Sequence, residues 1–334
     1  MKVIKDISSR GMAFALVRVP GTSRLLFGSS DFKVYDVDLS QAKPEPKPLG
    51  EHKSYVTGLA LAGKTAVSGS YDGRLIWWDI DKRTPIRTVD AHTKWIRKVA
   101  ASRDGKMIAS VADDMVCRLW NASNGKLVRE LRGHQEKTPH HFPSMLFVCV
   151  FSPDGRFVAS ADKVGHIVVW ETATGKQTAT LEAAGMYTWD PVQRKHSIGG
   201  VRSLAFSPDG KLLAAGGIGK IGNIDHLDGK ARIEVFDWQK GERTHEYLDD
   251  KFKGLVEHLQ FHPKGDWLLG GGGANDGFFL FFDLKAKKAI RQEKASMHVH
   301  DFALSENAET IYAAGHNKIQ VLEAKGLSLI HISE

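Results

Sequence analysis

Residues 52–79 read HKSYVTGLALAGKTAVSGSYDGRLIWWD. Three short runs rich in aliphatic and β-branched residues, at 56–61, 65–70 and 75–78, alternate with turn residues, the second turn being Tyr71-Asp72-Gly73. A fourth such run follows at 86–89. Runs of this length bounded by turn chemistry are expected to be strands, so the segment predicts four strands in succession. The third run ends on Trp78-Asp79. That ending recurs.

Outward from this segment, an aromatic or large apolar residue usually followed by an acid closes seven units: Tyr35-Asp36, Trp78-Asp79, Trp120-Asn121, Trp170-Glu171, Phe236-Asp237, Phe282-Asp283 and Leu322-Glu323. Their spacing of about forty to sixty-six residues is the period of a propeller blade plus insertions. A unit that cannot bury its own faces must stack on copies of itself. The expected fold is therefore all-β, a single seven-bladed propeller of four-stranded antiparallel blades spanning 1–334. Turn chemistry supports it: Ser152-Pro153-Asp154-Gly155 and Ser207-Pro208-Asp209-Gly210 place proline where φ is preset and glycine where φ must be positive. Ser102-Arg103-Asp104-Gly105 and His262-Pro263-Lys264-Gly265 are weaker copies, and Asn124-Gly125 and Thr174-Gly175 turn the chain between third and fourth strands.

Composition narrows the class. No run of eighteen apolar residues is present, so no transmembrane helix is expected, and the first apolar stretch, 12–17, is too short for a secretory signal. A cytoplasmic location is the expectation. The two cysteines, Cys117 and Cys149, lie in strand contexts and read as small buried hydrophobes. No CxxC, CxxCH or HExxH occurs, and the expectation is of no cofactor, no metal and no enzyme activity. The net charge of +7 favours acidic partners in a general way.

Gly133-His134, the stretches 151–155 and 206–210, and the Trp-Asp endings occur in an order and phase that resemble the WD40-repeat family over nearly the whole chain. The resemblance implies a hydrogen-bonded tetrad in each complete blade: a His before the first strand, a Ser or Thr on the second, an Asp in the next turn and the Trp of the third. In blade two these would be His52, Asp72, Trp78 and either Ser68 or Ser70, with Ser70 taken as the tetrad residue. In blade three they would be His92, Ser110, Asp114 and Trp120. Blade four keeps His134 and Trp170 but has Val164 where the Asp is expected. Elementary chemistry supports such a set, because an indole N–H, a hydroxyl, an imidazole and a carboxylate satisfy one another where each alone would be costly to bury. The same residue types occur in catalytic triads, but a set that repeats from blade to blade is structural.

Blade six has Asp276 without a matching His, and blade seven has His316 and Leu322 at the Asp and Trp positions, so apolar packing is expected to hold these blades. In blade one Asp31 stands only four residues before Tyr35, which suggests a shortened turn. Residues 3–7 and 327–332 compete for the closing strand of blade seven, and the N-terminal segment is preferred.

Function is sought in what exceeds the repeat, since loops vary while the scaffold positions them. Excess residues fall at 135–144, 183–200 and 218–230, with a smaller excess at 270–276, and the WD40 resemblance implies that these connections all emerge on one face, over blades four to six. That sector predicts a protein or peptide binding surface on a propeller that is itself monomeric and works within a complex. Trp189, Tyr187 and Arg194 are its leading candidates, and Phe142, His140 and Lys220 are secondary. A metal at His134, His140 and His141 is disfavoured because their spacing fixes no common centre. The alternative function is binding of nucleic acid or another polyanion through scattered basic residues such as Lys82-Arg83, Arg97-Lys98 and Arg194-Lys195. It lacks a motif.

Overall fold

The computed structural model describes residues 1–324, and its strands form seven four-stranded antiparallel sheets and one two-stranded hairpin. From inside to outside, blade one is Ala13–Arg18, Arg24–Ser29, Lys33–Asp38 and Lys47–Glu51. Blade two is Val56–Ala62, Thr65–Ser70, Arg74–Asp79 and Thr84–Asp90. Blades three to six begin on Ile96–Ala101, Leu146–Phe151, Val201–Phe206 and Leu255–Phe261. Blade seven joins the two ends of the described chain. Its inner strands are Val299–Leu304, Thr310–Gly315 and Lys318–Glu323, and its outermost strand is Lys2–Ser8, paired so that Lys2 faces Glu323 and Ser8 faces Lys318. The N-terminal segment thus closes the ring, and the rival 327–332 lies outside the described residues.

Both faces of a blade pack on neighbours, so the second and third strands are buried over most of their length. In blade six Phe278, Phe279, Phe281 and Phe282 all lie within the core. They stand beside a strand of four glycines: Gly270 pairs Leu280, Gly271 pairs Phe279 and Gly272 pairs Phe278. A methyl on Gly271 would come within 2.9 Å of the Phe302 ring of blade seven, so the missing side chains make room for the rings. Each buried ring contributes about 1.5–3 kcal/mol relative to exposure. Apolar packing therefore holds the blades whose tetrads are incomplete.

Tetrads hold blades two to four, with two corrections. In blade two the hydroxyl is that of Ser68, 2.7 Å from His52 Nε2 and 2.8 Å from the donating Trp78 Nε1; Ser70 Oγ instead accepts from the Asp72 backbone N–H. Ser68 and Ser70 point to the same side of one strand, and the reach of the indole selects the former. Blade three follows expectation, with His92 bridging Asp114 and Ser110 and Trp120 donating to Ser110. In blade four the tetrad is complete. Asp162, two residues before Val164, supplies the carboxylate at 2.9 Å from His134 Nδ1, with Ser160 and Trp170 completing the set.

Two further readings change. Blade one's turn at 30–32 is the same length as the turn at 71–73, with Phe32 at φ 75° taking the place of Gly73 at φ 78°. The pairing of Leu25 with Val37 matches that of Ala66 with Trp78, so Val37, not Tyr35, stands at the repeat's Trp position. Tyr35 donates to Asp31 instead. Residues 270–276 hold the small excess expected there: Leu268 pairs Phe282 as Ala66 pairs Trp78, but the hairpin between them is longer by one pair, Gly273 with Gly277, before a three-residue turn at 274–276. The Ser-x-Asp-Gly turns form as expected: Gly155 at φ 70° donates to the Ser152 carbonyl, and Ser152 Oγ donates to Asp154. Cys117 and Cys149 are buried free thiols, and burial raises both above the ordinary thiol range, Cys149 to about 12.

Candidate functional site

Every innermost strand contains one residue that its neighbour leaves unpaired. In blade one Ala13 pairs Ser29 and Ala15 pairs Gly28, which leaves Phe14 over. The same slip leaves Thr57, Arg97, Phe147, Arg202, Glu257 and His300 in the six blades that follow. A β-bulge re-aims its extra side chain. These seven bulge residues, one per blade, line a common cavity of about 120 Å³ with Tyr71 and Lys98. Because each lies at the start of its strand, the cavity opens on the rim where outermost strands connect to the next innermost ones.

The mouth of this cavity is charged and partly balanced. Arg97 makes a bidentate pair with Asp113 at 2.9 and 2.7 Å and donates to the Tyr71 hydroxyl. Arg202 has its guanidinium carbon 3.7 Å from the centre of the Phe147 ring, and its Nε has no hydrogen-bond partner. Burial lowers its pKa. Burial, and then Arg202, lower the nearby Lys163 to about 8. Deeper along the axis, Asp301 accepts from the backbone of Leu16 at 3.1 Å and pairs with Lys98 at 3.2 Å and His258 at 2.8 Å. Blades one, three, six and seven are tied together through that one carboxylate, which burial pushes up but Lys98 and His258 hold below the usual range.

An aromatic arc runs along the same rim over blades one to three. Successive ring centres are 5.8 Å apart from Phe32 to Tyr55, 5.7 Å from Tyr55 to Tyr71 and 4.6 Å from Tyr71 to Trp95, the last pair stacked. Trp95 is 51% exposed and Phe32 41%. Arg97 touches the arc, lying 5.3 Å from the Trp95 ring centre.

Three insertions converge over blades four and five. Tyr187–Asp190 and His196–Gly199 form a hairpin within the second. The His140 ring from the first stacks on Trp189 at 3.6 Å and lies near Tyr187, whose hydroxyl is 3.3 Å from His140 Nδ1. The third joins through Ile221 N–H donating to Thr188 Oγ1 at 3.1 Å and through an Arg194–Asp225 ion pair. Of the residues expected to form a site, the structure brings His140, Tyr187 and Trp189 together and ties Arg194 to the neighbouring loop. Phe142 is tied into its own turn, its carbonyl accepting from the Thr138 backbone N–H and its N–H donating to Thr138 Oγ1, while Lys220 is exposed in the third insertion. Trp189 keeps 40% exposure despite the stacking.

The family model described as WD domain, G-beta repeat, matches residues 45–79, 83–121, 125–171 and 189–233. With the seven blades, that decides the family. The chain belongs to the WD40-repeat family. Each of the first three matches begins one or two residues before the outermost strand of one blade and ends on the third strand of the next, so the WD40 sequence unit straddles two blades and couples them covalently. The chain is 31% identical over 224 residues to nuclear distribution protein PAC1-2 of Uncinocarpus reesii, covering 63% of this chain and 43% of that protein. It is 29% identical over 181 residues to nuclear distribution protein PAC1 of Arthroderma benhamiae, covering 50% and 35% respectively. The chain thus spans less than half the length of these curated relatives. No helix among the described residues is long and apolar enough to cross a membrane.

The bulge ring and the aromatic arc escaped sequence reasoning. The WD40 repeat marks blade position, but Phe14, Thr57, Arg97, Phe147, Arg202, Glu257 and His300 share no chemistry that would make a repeating signal. Their one common mark is placement near the start of each innermost strand.

Proposed function

We propose that this WD40 propeller is a non-catalytic platform that holds a protein partner on the rim carrying the inserted loops and the aromatic arc. The carrying observation is the arc Phe32–Tyr55–Tyr71–Trp95, in which Phe32, Tyr55 and Trp95 stay exposed; among the described residues Trp189 is the one other large aromatic ring so exposed. Aromatic side chains dominate interface energy because they bury much area at low entropic cost. The stack of His140 on Trp189 offers a second anchor on the same rim, with Tyr187, Arg194, Phe142 and Lys220 around it. Arg202, whose Nε lacks a partner at the channel mouth, suits a partner segment that presents an acidic residue.

A WD40 fold serves many tasks, so function resides in this rim and not in the fold. The name of the PAC1 relatives, nuclear distribution protein, fits a role in assembly with other proteins. The test is capture of partners by the purified chain, comparing wild type with Trp95→Ala, Trp189→Ala and, as a control on an outermost strand, Ile86→Ala. Partners retained by Ile86→Ala and lost by either tryptophan variant support the reading. Equal recovery by all four proteins removes it.

A further inference from the structure

We propose that Glu257, His298 and His300 bind one divalent transition-metal ion, with zinc the ion best suited to the donors, at the junction of blades six and seven beside the channel mouth. The ligating atoms of these three side chains lie within 4.8 Å of one another. Two imidazoles and one carboxylate form a donor set that zinc takes in sites where further coordination positions stay open. Small side-chain rotations would close such a triangle onto an ion about 2.0–2.2 Å from each donor.

The hydrogen bonding of the histidines carries the inference. His298 Nδ1 donates to the Ala274 carbonyl at 3.0 Å, which assigns the ring proton to Nδ1 and leaves Nε2 with a bare lone pair. A histidine that donates its other nitrogen to a backbone carbonyl is oriented as metal-ligating histidines are. That Nε2 is buried without a hydrogen-bond partner, and it faces Glu257 Oε1 at 3.6 Å. His300 Nε2 is likewise buried and unpartnered. The bare Nε2 of His298, the His300 imidazole and the Glu257 carboxylate thus surround one point, their ligating atoms within 4.8 Å of one another. One cation at that point satisfies all three, whereas one proton on one ring satisfies a single contact.

The backbone fixes this convergence. Glu257 and His300 are the bulge residues of adjacent blades, and His298 lies one residue before the innermost strand of blade seven. A methyl on Gly315 would lie 2.1 Å from the His298 carbonyl oxygen, and one on Gly273 would lie 3.1 Å from His298 Cγ, so both glycines are needed to seat the ring. His300 is further held by Phe14 at 5.0 Å, and its ring and that of His298 are 4.5 Å apart. Glu257 and His300 also line the 120 Å³ cavity, so a water or an incoming carboxylate can reach the remaining coordination positions. Arg202 lines the same cavity and its charge opposes a cation, so affinity is expected to fall below that of a closed four-ligand zinc site.

The test uses the tag-free full chain stripped with a chelator. Calorimetric titration with zinc is expected to show one saturable site, and cobalt(II) loading a ligand-field spectrum of nitrogen and oxygen ligation without a thiolate charge-transfer band. His298→Ala and His300→Ala should each weaken binding by about 100-fold or more, since even loss of an outer-shell partner costs 10–100-fold. The control His141→Ala, at an exposed histidine of the first insertion, should leave binding unchanged. His300→Gln serves if alanine impairs folding, and the cobalt spectrum needs no variant at all. Absence of a saturable site in wild type, a cobalt spectrum of thiolate ligation, or undiminished affinity in folded His300 variants would overturn the proposal.

Discussion

The guanidinium of Arg202 in blade five lies over the ring of Phe147 of blade four, its carbon 3.7 Å from the ring centre, and both are the bulge residues of their strands. The stack recovers about 0.5–2 kcal/mol of a much larger desolvation cost. Arg202→Met keeps the stem and removes the charge, so it should leave stability unchanged or raise it by about 1 kcal/mol. Urea denaturation measures this. A loss beyond about 2 kcal/mol would mean that the charge is compensated by a group absent from this account.

Blade four depends on Asp162, not on position 164. Asp162→Ala should destabilise by about 2–3 kcal/mol, as loss of a charge-assisted bond to a buried imidazole does. Val164→Asp should gain nothing, because the His134 ring is already paired with Asp162. Equal effects from the two substitutions in thermal melts would restore the position expected from the repeat.

Closure by Lys2–Ser8 leaves Lys318–Glu323 as an inner strand. Deleting residues 2–8 should turn it into an open edge and lower the melting temperature. Association that grows with concentration should follow, visible by light scattering, because an unpaired edge templates further pairing. A truncated chain that stays monomeric with unchanged melting would sink this account of closure.

Two glycines separate steric from conformational cost. A methyl on Gly277 would lie 1.6 Å from the Met297 carbonyl oxygen, so Gly277→Ala should cost more than about 3 kcal/mol. Gly241 has open space around it but φ of 73°, so Gly241→Ala should cost only about 1–2 kcal/mol. Denaturation midpoints of the two variants give the ranking directly.

Burial pushes the Asp72 carboxyl up, but bonds from His52 and from the backbone N–H groups of Lys53 and Arg74 outweigh it and hold the group at about 2. The unfolded chain therefore takes up this proton first. The carboxylate's stabilisation is full above the ordinary value of 3.8 and is lost as pH falls through about 2. The stability difference between wild type and Asp72→Asn should shrink across that interval. A difference constant from neutral pH to pH about 2 would contradict the assigned bonds.

Much of this architecture is legible in the chain because its signals are local. Trp78-Asp79, the Ser-x-Asp-Gly turns and His52, His92 and His134 mark blades through contacts within one repeat. The errors arise where a choice depends on reach and not on pattern. Ser68 and Ser70 share one face, Asp162 substitutes for a residue two positions on, and Tyr35 imitates the repeat's aromatic two residues early. For the candidate site, the convergence of 135–144, 183–200 and 218–230 follows from the WD40 resemblance, which puts those connections on one rim, but the stacking of His140 on Trp189 depends on loop conformation that no repeat encodes.

The count of seven blades and their order follow from the chain alone, because each repeat carries its own turns and must cover both faces of its sheet with neighbouring copies. Which side chains meet at the axis is fixed by folding in three dimensions. Phe14, Arg97, Arg202, Glu257 and His300 are drawn from five different repeats and share no chemistry. They become neighbours because each innermost strand bulges at the same place and the closed ring brings those places together.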